Sequence, residues 1–195
     1  MNQLNFPTTI NNSYTIDEYF FSSSNSQLQD FLNNITISWG YEPYKYSVLL
    51  SGARMSGKTH FSNIVKNLKS DLIIIDNMNE WDETELFHIF NDSNAKKQPV
   101  MFIGSIALIK LPDLKSRLAS IKTLNIHYPD DLMMQYLILK GFSKRSIKVS
   151  DDVIKFLMNR VAREFLAIEQ AIDLIDTEAL RQKRNVNVTF LSSLF

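Results

Sequence analysis

Eight residues, GARMSGKT at 52–59, have the types and the spacing needed to hold a phosphate. They satisfy the pattern G-x-x-x-x-G-K-[ST], whose glycines let backbone N–H groups turn toward a phosphate at the start of the following helix. In this pattern Lys58 reaches the β- and γ-oxygens and Thr59 offers a hydroxyl to Mg²⁺. The alternative is a vestigial loop that keeps the turn and binds nothing. We predict a nucleotide site made of Gly52, Ala53, Arg54, Met55, Ser56, Gly57, Lys58, Thr59 and His60.

Asp76 ends the apolar run LIIID at 72–76. A carboxylate at the tip of a buried strand beside such a loop helps to hold Mg²⁺ through water, whereas the plainer alternative is a strand-end aspartate in a turn. Motors of this class place a second carboxylate next, to polarise the attacking water, but here that residue is Asn77, whose amide cannot take a proton. Glu80 is a less favoured substitute. The sequence therefore predicts weak intrinsic ATP hydrolysis at most.

Alternating strands and helices position these residues, which is typical of an α/β fold with a short parallel sheet of about four or five strands. Beyond Pro129 the pattern predicts helices alone, with a stop at Gly141 and an apolar stripe from Val161 to Ala179. We predict an arm at 1–14, a nucleotide-binding core at 15–128 and a helical lid at 129–195. The predicted strands are 46–50, 72–76, 100–105 and 121–126, and the predicted core helices cover 15–21, 25–32, 83–91 and 112–118. A further predicted helix follows the loop, with Phe61, Ile64, Val65 and Leu68 on one face.

Composition excludes several other classes of protein. Lys and Arg number 21, as do Asp and Glu, so no overall positive charge draws the chain to nucleic acid or to an anionic membrane. There is no cysteine, and the apolar runs are far shorter than the roughly 18 residues of a membrane span. The start of the chain lacks the features of a secretory signal. We expect a cytoplasmic protein with no membrane contact.

In this order, the motifs resemble the AAA+ domain of the DnaA/Hda family, and its Hda branch more than DnaA itself. The resemblance covers nearly the whole chain. VLLSGARMSGKTH is similar to the family's Walker A box and LIIIDNMNE to its Walker B box, while the segment 14–32 is similar to the one that packs beside the adenine. It implies bound ADP or ATP with Mg²⁺.

Three further residues receive roles from this resemblance alone. VMFIGS places Ser105 at the sensor 1 position, and VAREFLAIEQAI places Arg163 at the sensor 2 position of the lid. LPDLKSRL resembles the box that presents an arginine finger to a neighbouring subunit, which makes Arg117 the candidate. The alternatives are a solvated Arg117 and an Arg163 that pairs with Glu164 or Glu169.

The first residues contain a possible partner site. Gln3-Leu4-Asn5-Phe6 resembles the peptide that docks replication proteins into the sliding clamp of DNA polymerase III, with Leu4 and Phe6 as anchors and Gln3 as the polar contact. The alternative is a disordered start with two chance apolar residues.

Three departures from the family refine the expected function. A strand and a helix before LIIID are missing, no helix-turn-helix follows Phe195, and Asn77 is typical of the Hda branch. We therefore expect no sequence-specific DNA binding, and a sheet of about four strands with Asp76 nearer an edge. The resemblance implies a regulator that docks on the clamp and promotes ATP hydrolysis by DnaA. The alternatives are an ATPase motor or loader and a nucleotide-independent adaptor, and AAA+ contacts between copies remain open.

Overall fold

The computed structural model describes residues 14–35 and 39–195. The predicted clamp-binding residues Gln3, Leu4 and Phe6 lie outside the described residues, and so does most of the predicted arm. Among the described helices, none is long and apolar enough to cross a membrane.

A four-stranded parallel sheet forms the centre of the described structure. The spatial order is β2-β3-β1-β4, so the strand before Asp76 lies at one edge. This confirms the predicted α/β fold with a short parallel sheet, and the predicted edge position of that strand. The strands are β1 (Ser47–Gly52), β2 (Ile73–Ile75), β3 (Val100–Ile103) and β4 (Lys122–Ile126).

Alternate residues of the central strands pack against helices on opposite faces of the sheet. Val48 and Leu50 join one apolar cluster and Leu49 joins the other, as the two-residue period of a strand requires. Two helices cover the first face, α1 (Ser26–Asn33) and α2 (Lys58–Leu68). Two more cover the second face, α3 (Glu83–Ala95) and α4 (Pro112–Ser120).

Helix α2 follows its predicted apolar pattern except at its last residue. Phe61, Ile64 and Val65 are buried against the sheet, whereas Leu68, predicted on the same face, is 60% exposed. Leu68 is where the helix ends, so the neighbouring elements that cover the earlier turns no longer cover it.

The chain after Pro129 is helical, with its own apolar core. The predicted stop at Gly141 is wrong, because the first of these helices continues through it to Lys144. Gly141 packs against Ile172, where a Cβ would collide with that side chain, so the glycine serves helix packing rather than termination. The apolar stripe is buried from Phe165 to Ile175. The helices are α5 (Asp131–Lys144), α6 (Asp151–Met158), α7 (Phe165–Gln182) and α8 (Val188–Leu191).

The predicted helix at 15–21 is only a single 3-10 turn, Ile16–Glu18. A second turn, Ser23–Asn25, leads into α1 and is capped by Ser22. The Ser22 hydroxyl accepts from the Ser24 N–H, and the Ser22 backbone N–H donates to the Asn25 side chain. Serines compete with helix formation by bonding nearby backbone groups, which explains why a continuous helix does not form. The segment between the turns carries aromatic side chains toward α2 and α5 instead.

Candidate functional site

The predicted phosphate-binding loop connects the end of β1 to the start of α2. Gly57 has φ +87°, a left-handed conformation that glycine adopts without steric cost, and Phe61 N–H already bonds to its carbonyl at 2.9 Å. Met55 is also left-handed, with φ 64°, and its side chain is half exposed at the tip of the loop. The loop therefore has the backbone turn that presents the first N–H groups of α2 to an anion.

Lys58 lies over this loop and is held by it. Its Nζ donates to the carbonyls of Gly52 and Ala53, at 2.9 and 2.7 Å. Burial lowers the pKa of Lys58, and the nearby charge of Asp76 opposes that shift. The ammonium group is thus placed above the loop, where an incoming phosphate would exchange with the two carbonyls.

Thr59 and Asp76 meet directly at the edge of the loop. The Thr59 hydroxyl donates to Asp76 Oδ2 at 2.8 Å, and Asp76 Oδ1 accepts from the Asn77 N–H at 2.8 Å. A hydroxyl and a carboxylate are hard oxygen donors, and Mg²⁺ in nucleotide sites takes one or two of these together with phosphate oxygens and water. These two residues therefore fit Mg²⁺ brought in with a nucleotide.

Asn77 begins the turn that follows β2. It is exposed and has φ 49°, a left-handed conformation that asparagine tolerates better than most residues. Glu80, the less favoured carboxylate, is exposed in the single turn Met78–Glu80 and donates its N–H to the Asn77 carbonyl. The residue that follows Asp76 thus supplies an amide where a catalytic base would need a carboxylate.

Ser105 follows β3 and lies beside the same turn. Its backbone N–H and carbonyl both bond to the side chain of Asn79, at 2.9 and 2.7 Å. The structure therefore brings Lys58, Thr59, Asp76 and Ser105 to the carboxyl ends of β1, β2 and β3, where ligands of open α/β sheets bind. Asn79 is not among the predicted site residues. The sequence feature that could have indicated it is its position three residues after Asp76.

Arg117 is folded back onto the core. Its guanidinium lies 5.0 Å from the centre of the Phe87 ring, and Nη1 donates to Asn91 Oδ1 at 3.1 Å and to the Tyr44 hydroxyl at 3.4 Å. Asp113, one turn earlier on α4, is 3.6 Å away. These contacts fit neither a fully solvated arginine nor one already extended toward a partner.

Arg163 precedes α7 and pairs with Asp131 at the start of α5, at 2.5 Å. It is half exposed, and the alternative pairing with Glu169 does not occur, because Arg145 takes that carboxylate. Arg163 thus links the segment before α7 to the start of α5.

The segment before α1 connects α2 to the lid. His60 on α2 lies edge-on to the rings of Tyr14 and Tyr19, with ring centres 5.3 and 5.4 Å apart. Burial lowers the pKa of His60 and the charge of Lys140 adds to the shift, against the charge of Glu18, so the imidazole is neutral at pH 7. Burial also raises the pKa of the Tyr19 hydroxyl.

The same segment also contacts the first lid helix. The ring of Phe20 stacks on that of Tyr136 at 4.1 Å. Asp130 accepts from the Ser23 hydroxyl at 2.6 Å, from the Ser24 N–H at 2.9 Å and from the Met133 N–H at 2.8 Å. The segment before α1 thus connects α2 to α5.

The sequence of this chain matches a family model and a protein of known sequence. Residues 130–195 match the family model of the Hda lid domain. An uncharacterised protein of Haemophilus influenzae is 30% identical in an alignment of 155 positions, which covers 72% of this chain and 66% of that protein, slightly less than two thirds of its length.

Solved structures with this fold include replication initiation proteins and a Holliday junction branch migration motor. Domain III of the replication initiation protein DnaA of Thermotoga maritima superposes with a TM-score of 0.67 at 17% identity, covering 92% of this chain and 94% of that one. AMPPCP-bound DnaA of Aquifex aeolicus gives 0.63 at 17% identity, covering 89% and 69%. The Holliday junction branch migration motor RuvB of Thermotoga maritima gives 0.67 at 16% identity, covering 92% and 70%. The fold is therefore that of an AAA+ core with a helical lid.

Proposed function

We propose that this chain, an AAA+ protein of the DnaA/Hda type, regulates the initiation of chromosomal replication in the manner of Hda: it holds an adenine nucleotide, docks on the sliding clamp and promotes ATP hydrolysis by DnaA. The observation that carries the proposal is the match of residues 130–195 to the Hda lid domain, behind an AAA+ core. The proposal includes a division into arm (1–14), core (15–128) and lid (129–195).

The geometry of the loop supports nucleotide binding. Lys58 lies over the left-handed turn at Gly57, and the bond between Thr59 and Asp76 provides two oxygen donors for Mg²⁺. In this proposal Mg²⁺ neutralises phosphate charge, and the backbone of 52–60, Lys58 and Arg163 hold ADP or ATP. DnaA of Aquifex aeolicus binds the ATP analogue AMPPCP with the same fold.

The amide of Asn77 favours a protein that retains its nucleotide over one that hydrolyses it rapidly. Asn77 follows Asp76, the carboxylate proposed to hold Mg²⁺, and its side chain can orient a water molecule but cannot accept the proton of that water. A motor or loader needs that proton transfer at every cycle. We therefore propose ADP or ATP as a resident ligand with slow intrinsic hydrolysis.

Arg117 is the residue through which this protein would act on its partner. In the proposed mechanism it leaves its contacts on α3 and reaches the γ-phosphate of ATP bound to DnaA, where a forked guanidinium stabilises the charge that develops during hydrolysis. Gln3, Leu4 and Phe6 would meanwhile hold the protein on the clamp, close to DnaA.

The test is a DnaA hydrolysis assay with purified clamp loaded on DNA. The wild-type protein should stimulate hydrolysis, and Arg117→Ala should lose that activity while keeping clamp and nucleotide binding. Lys115→Ala is the matched control, because Lys115 is an exposed cation on the same helix. Thermal unfolding of both variants separates the loss of a catalytic contact from the loss of the Arg117 packing.

A second pair of variants tests the clamp contact. Leu4→Ala with Phe6→Ala should remove clamp binding and keep ADP binding, because each anchor lost from a desolvated pocket costs about 1 to 3 kcal/mol. Asn5→Ala is the control within the same peptide. A wild-type protein that gives no stimulation of DnaA refutes the proposal, and one that also binds no nucleotide favours the adaptor alternative. Brisk intrinsic turnover favours the motor.

A further inference from the structure

The Asn79 side chain joins the two turns that follow β2 and β3. Its Nδ2 donates to the Ser105 carbonyl at 2.7 Å, and its Oδ1 accepts from the Ser105 N–H at 2.9 Å. One carboxamide thus pairs with both backbone groups of one residue, as a neighbouring strand would. Two bonds fix the orientation of Ser105 as well as its position, which a single bond could not do.

The backbone at Gly104 is shaped for this contact. A Cβ there would lie 2.6 Å from Met78 Cγ and 2.7 Å from Asn79 Oδ1, so only glycine allows the turn after β2 to approach β3 so closely. Met78 is fully buried, and the Gly104 N–H bonds to the Leu50 carbonyl of β1 at 3.2 Å. The pairing therefore rests on the rigid end of the sheet rather than on a mobile loop.

The same turn also holds Asp76. Asp76 Oδ1 accepts from the Asn77 N–H, the Asp76 carbonyl accepts from Trp81 Nε1 at 3.1 Å, and the Glu80 N–H bonds to the Asn77 carbonyl at 2.8 Å. Asp76 and Ser105 thus belong to one hydrogen-bonded unit. Asn79 is the link between its two halves.

Among the described residues, the Ser105 hydroxyl accepts one hydrogen bond and donates none. Its Oγ accepts from the Ala107 N–H at 3.3 Å, which uses a lone pair and directs the hydroxyl hydrogen away from that turn. A hydroxyl of this kind donates well to a charged phosphate oxygen, provided that the backbone beneath it does not rotate.

We infer that Asn79 is a positioning residue for the terminal phosphate: by fixing the Ser105 backbone it makes the Ser105 hydroxyl a donor to the γ-phosphate, and so sets the preference for a nucleoside triphosphate over a diphosphate. This inference rests on the nucleotide-binding part of the proposed function and on no clamp or DnaA contact. Asn79 acts through Ser105 and does not itself touch the nucleotide.

A double-mutant cycle tests this route of action. Calorimetry with Mg²⁺ gives the dissociation constants of ADP and of AMPPCP for wild type, Asn79→Ala, Ser105→Ala and the double variant. Each single variant should weaken AMPPCP binding roughly tenfold, the size of one hydrogen bond to a charged group, and leave ADP binding within about twofold. The double variant should be no weaker than Ser105→Ala, because Asn79 has no effect without the hydroxyl.

Two further variants separate positioning from general damage. Asn79→Asp has nearly the same shape and accepts from the Ser105 N–H, but it opposes the Ser105 carbonyl with a second acceptor, so it should lose AMPPCP affinity with the fold retained. Asn34→Ala removes a side-chain bond to the Asp30 carbonyl on α1 and should leave both constants unchanged.

Several outcomes overturn the inference. Equal weakening of ADP and AMPPCP by Asn79→Ala would mean that Asn79 only supports the fold, and additive losses in the double variant would mean that it does not act through Ser105. A wild-type protein that binds both ligands equally has no sensor at Ser105. Binding of neither ligand would refute nucleotide binding itself, which is a different failure from loss of discrimination.

Discussion

Asp130 gives the sharpest prediction for stability, because one carboxylate joins the core to the lid. It caps α5 through the Met133 N–H and also accepts from the Ser23 hydroxyl and the Ser24 N–H at the entrance to α1. Replacing Asp130 with alanine removes all three bonds at once. Segments more than a hundred residues apart in sequence would lose this direct link.

The magnitude follows from the kinds of bonds lost. An N-cap aspartate contributes about 1 kcal/mol, and the two partly exposed bonds from Ser23 and Ser24 bring the expected loss for Asp130→Ala to about 2 kcal/mol. In a chain of this size that corresponds to a fall of roughly 4 to 8 °C in the midpoint of thermal unfolding. Asp130→Asn keeps an acceptor of the same shape and should lose about half as much.

The pH dependence has a defined sign. Burial alone would raise the pKa of Asp130, but the bonds from Ser23, Met133 and Ser24, together with the effect of the nearby Ser22 hydroxyl, outweigh it and lower the value to about 2, from 3.8. A lowered folded-state pKa stabilises the protein fully above pH 4, and this contribution is lost as pH falls from about 4 toward 2. Asp130→Asn should remove that part of the acid sensitivity.

Urea unfolding at pH 7 and at pH 3 measures both effects. Asp151→Ala is the matched control, since Asp151 lies in the first turn of α6 and its loss removes only a favourable charge near a helix N terminus. The reasoning is refuted if Asp130→Ala unfolds at the same urea concentration as wild type at pH 7, or if Asp130→Asn shows the full wild-type loss at pH 3.

Three other predictions concern the loop, the Walker B turn and the lid. Lys58→Ala should weaken ADP binding by roughly 10- to 100-fold, the size of lost bonds to a charged phosphate, with an unchanged unfolding midpoint; equal ADP affinity by calorimetry would contradict the site. Asn77→Asp should raise slow intrinsic phosphate release by supplying a proton acceptor, and a single-turnover assay showing no rise would mean that the water is not placed there. Gly141→Ala should destabilise the lid by about 1 to 3 kcal/mol by collision with Ile172, and a more stable variant in urea would show that the helices separate freely.

The elements around the loop could be predicted because each follows from a local pattern. The apolar run of β1, the glycines of the loop and the helical spacing of Phe61, Ile64 and Val65 are all contained in about twenty residues. The edge position of β2 is implied by the family resemblance, because the strand and helix that the family carries before LIIID are missing here. Gly141 shows where local patterns fail, because its role depends on Ile172 of another helix and not on its neighbours in the chain.

The site contacts depend on residues that are distant in sequence. Asn79 meets Ser105 only because β2 and β3 are adjacent in the sheet, so no motif around either residue indicates the pairing. The docked position of Arg117 likewise needs Tyr44 and Asn91, which lie 73 and 26 residues away. Sequence patterns can identify such residues as candidates, but their contacts follow only from the folded arrangement of the side chains.

In the proposed mechanism, the docked position of Arg117 determines when it acts on a partner. Leaving Asn91, Tyr44 and the Phe87 ring costs about 1 to 3 kcal/mol, the sum of hydrogen bonds from the charged guanidinium to two uncharged acceptors and a partly exposed cation–π contact. Among the described residues its buried Nε has no hydrogen-bond partner, which offsets part of that cost. Bonds from a guanidinium to a triphosphate are about twice as strong as neutral ones, and stronger still as charge develops on the γ-phosphate. In the proposed mechanism the Arg117 guanidinium therefore stays packed against α3 until a partner's phosphates face it, so that its interaction stabilises the transition state more than the initial complex.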